Sequence, residues 1–131
     1  INILLFDNGG FGCINNLQMG SGINSACTEF RYRKDELVPS GDYIPVDYAM
    51  IAKGYGFIGY TARTLEELKA ALIDSKKQSL PTLIDIKTLP KTMTHGYLGW
   101  WNTGCSELPR TKKAEETLLT KQMNLKKSRK Y

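Results

Sequence analysis

The first feature of this sequence that could do chemistry is a polar, glycine-rich turn. It consists of four consecutive residues that follow a short apolar run: Asp7, Asn8, Gly9 and Gly10. The Asn8 side chain offers a neutral oxygen, and glycines allow backbone groups to approach a ligand closely. Mg²⁺ prefers hard oxygen ligands and commonly joins a protein to phosphate groups, so the turn suits a Mg²⁺ site. An ordinary tight turn has the same composition, and the residues alone leave both interpretations open.

A second candidate segment holds the only histidine and both tryptophans of the chain. His95 stands beside Thr94 and Tyr97, and a neutral histidine can exchange protons near neutral pH. By its neighbours alone, His95 is more often a structural hydrogen-bonding residue. We interpret Trp100 and Trp101 as core or subunit-interface aromatics rather than as platforms for a sugar ring.

Several charged side chains have two interpretations. Arg31 and Arg33 would clamp a substrate or an interface carboxylate, and a plain surface pair is equally compatible with the sequence. Glu29, Glu66 and Glu67 are interpreted as charges on the surface of a loop or a helix.

The elements that must position these residues alternate between strands and helices. In chain order we expect a buried strand over 1–6, a short helix over 14–19, a helix from the N-cap Asp47 to the glycines at 54 and 56, a strand over 57–61, a helix over 65–77 and a strand over 81–87. This alternation predicts an α/β fold with a doubly wound parallel sheet. Ligands of such sheets bind beyond the carboxyl ends of the strands, and Asn8 follows one of these ends.

Two of the predicted helices have recognisable faces and caps. The spacing of amphipathic helices places four residues of the first on one face: Tyr48, Ile51, Ala52 and Tyr55. In the second, Thr64 and Glu67 form a capping box. Three leucines of that helix are expected to point inward: Leu65, Leu68 and Leu72.

Composition predicts one soluble domain in a reducing compartment. The chain has 131 residues, 41% of them hydrophobic, and no apolar run long enough to span a membrane. No signal peptide is recognisable, and the start at Ile1 inside an apolar run is interpreted as a cut. Three widely spaced cysteines without a C-x-x-C motif are expected to be free thiols, which favours the cytoplasm.

The net charge of +5 is concentrated at the C-terminus. Residues 110–131 carry eight Lys or Arg and two Asp or Glu, whereas the first 109 residues are nearly neutral. A nucleic-acid-binding domain usually spreads basic and aromatic residues over a folded face, so we interpret the block as a solvated helix or tail.

The turn and the residues that follow it resemble the second half of the cofactor motif of thiamine-diphosphate enzymes. The similarity runs through the string Asp7-Asn8-Gly9-Gly10-Phe11-Gly12-Cys13-Ile14-Asn15-Asn16-Leu17-Gln18. The resemblance implies that the Asn8 side chain and the Gly10 carbonyl bind Mg²⁺. It also implies that Gly10, Phe11, Gly12, Cys13 and Ile14 lie along thiamine diphosphate.

Longer strings narrow the resemblance within that family. Thr28 to Arg33, Thr82 to Lys87 and Leu89 to Tyr97 are similar to hydrolases of myo-inositol catabolism. These open the ring of a cyclic 1,2-diketone by adding water across a C–C bond, which gives 5-deoxyglucuronate. The resemblance implies that the segment from Thr92 to Tyr97, with His95 as a catalytic group, faces this polyol-derived substrate.

The resemblance covers residues 1–105, which we interpret as the C-terminal portion of a thiamine-diphosphate-binding (PP-type) domain. We interpret residues 106–131 as a basic helix or tail. The Gly-Asp-Gly half of the motif and the glutamate that activates the cofactor are absent from this sequence. We therefore expect the chain to be inactive alone, and to need the N-terminal domains of the same enzyme, in a homo-oligomer without membrane or nucleic-acid partners.

Two rival functions remain at this point. One is a thiamine-diphosphate enzyme of the acetolactate-synthase type, which Ile14 and the segment from Thr92 to Trp101 should distinguish. The other is a non-catalytic module that binds through its basic tail, for which salt-dependent RNA binding lost with residues 110–131 would be the evidence.

Overall fold

The computed structural model describes residues 1–34, 38–91 and 104–129. Seven elements follow one another in this part of the chain: β1 (Asn2–Asp7), α1 (Gly12–Gly20), α2 (Tyr48–Gly54), β2 (Ile58–Ala62), α3 (Leu65–Ser75), β3 (Thr82–Lys87) and α4 (Lys112–Lys127). The predicted order of strands and helices is confirmed. The predictions for His95, Trp100 and Trp101 lie outside the described residues.

The chain divides into two compact units. The sheet unit comprises Ile1–Gly9 and Ile44–Pro90, and the two-helix unit comprises Gly10–Tyr43 and Lys91–Tyr131. The predicted division between residues 105 and 106 is not tested by these units and stays a prediction.

The three strands of the sheet unit are parallel, in the order β1-β3-β2. Ile84 of β3 pairs with Leu4 on one side and with Tyr60 on the other. The small core lies around this central strand, with Ile84 fully buried and Leu68 and Leu72 of α3 packed against it. The predicted α/β fold with a doubly wound parallel sheet is confirmed.

β1 is a strand as predicted, but the prediction that it is buried is wrong. Phe6 is 66% exposed and Leu4 is 44% exposed. The reason lies in the strand order, because β1 is an edge of the described sheet whereas β3 has a neighbour on each side. A continuous apolar run indicates a strand without fixing how much of it is covered.

α2 begins where its N-cap predicts, because the Asp47 side chain accepts a hydrogen bond from the Met50 N–H at 2.8 Å. Its buried face differs from the prediction. Of the four residues placed on one face, Ala52 is buried, whereas Ile51 is 50% exposed and Tyr55 is 80% exposed. The buried side chains are small, which permits a close approach to β2.

The close approach is visible at Gly59 of β2. A Cβ at this position would lie 2.2 Å from the carbonyl oxygen of Ala49 in α2. Only glycine fits there, so the contact between α2 and β2 is made through backbone and alanine rather than through large side chains.

The capping box of α3 is confirmed. The Thr64 hydroxyl accepts from the Glu67 N–H, and the Glu67 carboxylate accepts from the Thr64 N–H. Leu68 and Leu72 point into the core as predicted, but Leu65 is 59% exposed, so that part of the prediction is wrong. Leu65 is the first helical residue, one turn before the part of α3 that covers the sheet.

In the two-helix unit, the basic C-terminal segment forms α4. The Thr111 hydroxyl caps this helix and also donates to the Gly22 carbonyl at 3.1 Å, and Lys113 donates to the Met19 carbonyl at 3.0 Å. Ala114 is buried, and its backbone nitrogen lies so close to Gly22 that a Cβ there would be only 2.6 Å away. The basic segment is therefore anchored at its first turn. The three cysteines are free thiols, as predicted.

Candidate cofactor-binding site

Asn8 follows β1 directly and stands at the carboxyl end of that strand, where ligands of parallel sheets bind. The residue is half-buried. The next residue, Gly9, has a φ of 75°, which glycine adopts without steric cost. The Gly9 N–H donates to Asp7 Oδ1 at 2.9 Å, so the turn that carries Asn8 is held by the preceding aspartate.

The other carboxylate oxygen of Asp7 is held by Lys87, the last residue of β3. Lys87 Nζ lies 2.8 Å from Asp7 Oδ2 and 2.8 Å from Asp85 Oδ2, and it donates to the Val46 carbonyl at 2.6 Å. These three acceptors match the three protons of an ammonium group. Burial alone would lower the pKa of Lys87, but the hydrogen bonds to Asp7 and Asp85 outweigh it and raise that pKa above its usual value.

Asp85 is the buried member of this group, and its side chain has no exposed surface. Its Oδ2 also accepts from the backbone N–H of Tyr48 at 3.1 Å. Its Oδ1 has no hydrogen-bond partner among the described residues. Burying a carboxylate oxygen without a partner costs stability, so the position of Asp85 calls for an explanation beyond packing.

This network of Asp7, Asp85 and Lys87 was not predicted from the sequence. A signal was available, because Asp85 and Lys87 alternate with apolar residues at the end of a strand that is otherwise apolar. Residues two apart on a strand point to the same face, so a carboxylate and an ammonium at this spacing indicate a pair.

In the two-helix unit, the predicted cofactor-contacting residues form a tight turn into α1. A Cβ on Gly10 would lie 2.3 Å from the Thr28 carbonyl oxygen and 2.8 Å from the Glu29 Cα, so this position requires glycine. The Phe11 N–H donates to the same Thr28 carbonyl at 2.8 Å. Phe11 and Phe30 meet edge to face with ring centroids 5.3 Å apart.

The side chains of this segment are largely uncovered. Phe11 is 55% exposed and Ile14 is 52% exposed, and Cys13 is exposed as well. Behind them, Asn15 is buried and donates to the hydroxyls of Ser25 and Thr28. The start of α1 therefore presents apolar surface on a polar, hydrogen-bonded support.

Glu29 was predicted to be a surface charge, and this prediction is wrong. Its side chain is 9% exposed, and it contacts Arg31 at 3.3 Å and Lys91 at 3.4 Å and accepts from the Tyr43 hydroxyl. Burial raises the pKa of Glu29, but hydrogen bonds from Tyr43, Arg31 and Ser25 outweigh it and lower that pKa to about 2. Its partners at positions 43 and 91 are distant in sequence, so no local pattern indicated this cluster.

Arg31 is held inside the same cluster rather than paired with Arg33 on the surface. Its guanidinium stacks on the Tyr43 ring at 3.8 Å from the ring centroid and donates to the Gly41 carbonyl at 2.9 Å. Arg31, Glu29 and Lys91 line a cavity of about 490 Å³. The cluster therefore places two cations and one carboxylate on the wall of an open cavity.

The remaining predicted site residue, His95, lies outside the described residues together with the segment from Thr92 to Tyr97. Within residues 1–34, 38–91 and 104–129, no three His, Cys, Asp or Glu side chains form a group that could hold a metal ion. The predicted Mg²⁺ ligands are the amide oxygen of Asn8 and the backbone carbonyl of Gly10, and neither is a His, Cys, Asp or Glu side chain.

Each of the two units, taken by itself, has residues that fit thiamine diphosphate with Mg²⁺. The sheet unit supplies a fixed turn with an amide oxygen at the carboxyl end of a strand. The two-helix unit supplies Gly10, whose close contact with the backbone of Thr28 and Glu29 requires glycine, followed by exposed apolar residues at the start of a helix. Hard oxygen ligands suit Mg²⁺ and apolar surface suits the rings of the cofactor.

This combination of fold and turn is typical of thiamine-diphosphate enzymes, and comparison with known proteins shows the family. Residues 1–86 match the thiamine pyrophosphate enzyme, C-terminal TPP binding domain. The chain belongs to this family.

Three relatives that are similar to the chain carry the same name. The chain is 57% identical to the 3D-(3,5/4)-trihydroxycyclohexane-1,2-dione hydrolase of Geobacillus thermodenitrificans, 55% identical to that of Clostridium botulinum and 56% identical to that of Clostridium perfringens strain 13. Each match covers 100% of this chain and 20% or 21% of the relative. The chain thus spans about a fifth of the length of these curated relatives.

No solved structure matches the chain. A membrane-crossing helix would need a long apolar stretch, and none of the helices in the described part of the chain has one.

Proposed function

We propose that this chain is the C-terminal cofactor-binding part of a thiamine-diphosphate- and Mg²⁺-dependent hydrolase. The full-length enzyme cleaves a C–C bond of a cyclic 1,2-diketone, trihydroxycyclohexanedione, to 5-deoxyglucuronate in myo-inositol catabolism. The observation that carries the proposal is the identity of 52–57% over the whole chain to hydrolases of that name. The proposal includes a cytoplasmic location and a homo-oligomer.

Within the enzyme, this chain holds the diphosphate end of the cofactor. The Asn8 side-chain oxygen and the Gly10 carbonyl bind Mg²⁺, and Gly10, Phe11, Gly12, Cys13 and Ile14 lie along the cofactor. The turn held at Gly9 and the close backbone contact of Gly10 with Thr28, which only glycine permits, support these roles.

The bound cofactor supplies the carbanion chemistry, and the protein orients it and the substrate. The residues of the chain therefore act by binding and positioning. Phe11 and Ile14 exclude water from one side of the cofactor, which their exposed apolar side chains support. His95 exchanges a proton with the substrate, and the resemblance of its segment to the hydrolases supports that role.

The role of His95 has its own test. A His95→Gln substitution retains hydrogen-bonding capacity and removes the titratable group. Proton exchange by His95 predicts a loss of about 100-fold or more in kcat of the full-length enzyme, with cofactor affinity unchanged. A near-normal kcat removes His95 from the catalytic residues.

The function is tested with the purified full-length enzyme, supplied with trihydroxycyclohexanedione, Mg²⁺ and thiamine diphosphate. We expect 5-deoxyglucuronate to form only when both Mg²⁺ and the cofactor are present. Pyruvate serves as the second substrate in the same assay. Formation of acetolactate without turnover of the cyclic diketone would instead establish the acetolactate-synthase type, and turnover of the diketone without the cofactor would overturn the proposal.

A further inference from the structure

The turn that carries Asn8 is held by a chain of contacts that begins deep in the sheet. Asp85 is fully buried on β3, and its carboxylate lies 2.8 Å from Lys87 Nζ. The Lys87 ammonium lies 2.8 Å from Asp7 Oδ2, and Asp7 Oδ1 accepts the Gly9 N–H at 2.9 Å. Each of these contacts lies within the sheet unit, and together they lead from its central strand to the backbone N–H of the residue that follows Asn8.

Lys87 can hold the Asp7 carboxylate in one orientation, in addition to neutralising its charge. Its three acceptors come from three places: the end of β1, the end of β3 and the segment before α2. An ammonium with all three protons bound has no freedom to rotate away, and its side chain is only 18% exposed. The Asp7 carboxylate is therefore held in one orientation, with its second oxygen directed at the Gly9 N–H.

Asp85 carries a cost that packing does not explain. One of its oxygens has no hydrogen-bond partner among the described residues, although the side chain is completely buried. An apolar residue of similar volume would avoid that cost, and buried ion pairs are often no more stabilising than the apolar side chains that could replace them. An apolar side chain in place of Asp85, however, would not hold Lys87 against Asp7.

We infer that Asp85 and Lys87 are positioning residues for the metal ligand Asn8, through Asp7 and the Gly9 N–H. The inference rests on the proposed function, because it assigns to the network the preorganisation of a Mg²⁺ ligand. Groups that hold metal ligands in place affect metal affinity without contacting the metal. The network keeps the turn in its binding geometry before Mg²⁺ and the diphosphate arrive.

The test measures Mg²⁺ binding to the full-length enzyme at saturating thiamine diphosphate, by calorimetric titration. The double variant Asp85→Leu/Lys87→Met replaces the buried pair by apolar side chains of similar size, so the fold should be retained. We expect its Kd for Mg²⁺ to rise by about 10- to 100-fold. The matched control is Lys69→Met, which removes an exposed lysine of α3 and should leave the Kd unchanged.

A third measurement separates positioning from a general effect of charge or stability. Asp7→Asn weakens the contact to Lys87 and should raise the Kd on its own. Added to the double variant, it should raise the Kd little further, because the orientation of Asp7 is already lost. If the effects of Asp7→Asn and of the double variant on the Kd multiply instead, Lys87 does not act through Asp7, and the inference is overturned.

The outcomes also distinguish this inference from the proposed function. If Asn8→Leu abolishes Mg²⁺ binding in the same assay and the double variant binds Mg²⁺ as the wild type does, the inference fails alone. If Asn8→Leu binds Mg²⁺ normally, the metal site is misplaced, and the proposed role of Asn8 fails together with the inference. Should the double variant not fold, Asp7→Asn decides, and wild-type affinity in that variant overturns the inference.

Discussion

Asp85 and Lys87 stand two residues apart on β3, and their charged groups meet at 2.8 Å although Asp85 is fully buried. Lys87 also contacts Asp7, which ends the neighbouring strand β1 and directly precedes Asn8. A polar network thus occupies the carboxyl ends of two neighbouring parallel strands, where α/β proteins place their ligands.

Removal of Asp85 alone should be costly. Asp85→Ala leaves Lys87 with one carboxylate fewer and opens a cavity beside Tyr48, and we expect a loss of about 3 kcal/mol in the free energy of unfolding. Asp47→Ala, which removes only the N-cap of α2, should cost about 1 kcal/mol. Urea denaturation of the cofactor-free full-length enzyme measures both, and a smaller loss for Asp85→Ala than for Asp47→Ala would contradict the network.

The Glu29 cluster should make stability depend on acid. The pKa of Glu29 is about 2 in the folded protein and 4.5 without partners, so the folded state binds a proton less readily than the unfolded state. The stabilisation by Glu29 is therefore complete above a pH of about 4.5 and is lost as the pH falls towards about 2. At neutral pH, Glu29→Gln should cost about 2 kcal/mol, because Arg31 and Lys91 lose a charged partner.

The measurement is the difference in urea midpoint between the wild type and Glu29→Gln, followed from neutral pH downwards. That difference should shrink through the window set by the two pKa values. A difference that stays constant over the whole range would show that the carboxylate of Glu29 is not the group responsible.

Two glycines of the sheet unit should respond oppositely to alanine. A Cβ on Gly59 would lie 2.2 Å from the Ala49 carbonyl oxygen, so Gly59→Ala should separate α2 from β2 and cost about 2 kcal/mol. Gly54, at the end of α2, has nothing within 4 Å of such a Cβ, and Gly54→Ala should stabilise by about 0.5 kcal/mol. Thermal melting of the two variants compares them, and equal effects would contradict the close contact.

The sequence predicts those features whose causes are local. Asp47 caps α2 and Thr64 caps α3 through contacts three residues away, so the sequence pattern contains both partners. The position of Asn8 at a strand end followed from an apolar run and a glycine turn in the same way.

Features that depend on distant partners could not be predicted. Glu29 is buried by Tyr43 and Lys91, and Lys87 is held by Asp7, 80 residues away. The exposure of Ile51 on α2 depends on how closely the helix approaches the sheet, which Gly59 sets. Periodicity locates a helix or strand, whereas the face it buries depends on what it packs against.

One titration shows whether Asn8 binds Mg²⁺ for thiamine diphosphate. Calorimetric titration of the full-length enzyme with Mg²⁺, at saturating thiamine diphosphate, compares Asn8→Leu with Asn8→Asp. Leucine removes the ligand oxygen, so we expect the Kd for Mg²⁺ to rise more than about 100-fold, whereas aspartate keeps an oxygen and should retain binding. Wild-type Mg²⁺ affinity in a folded Asn8→Leu enzyme would show that Asn8 is not a Mg²⁺ ligand.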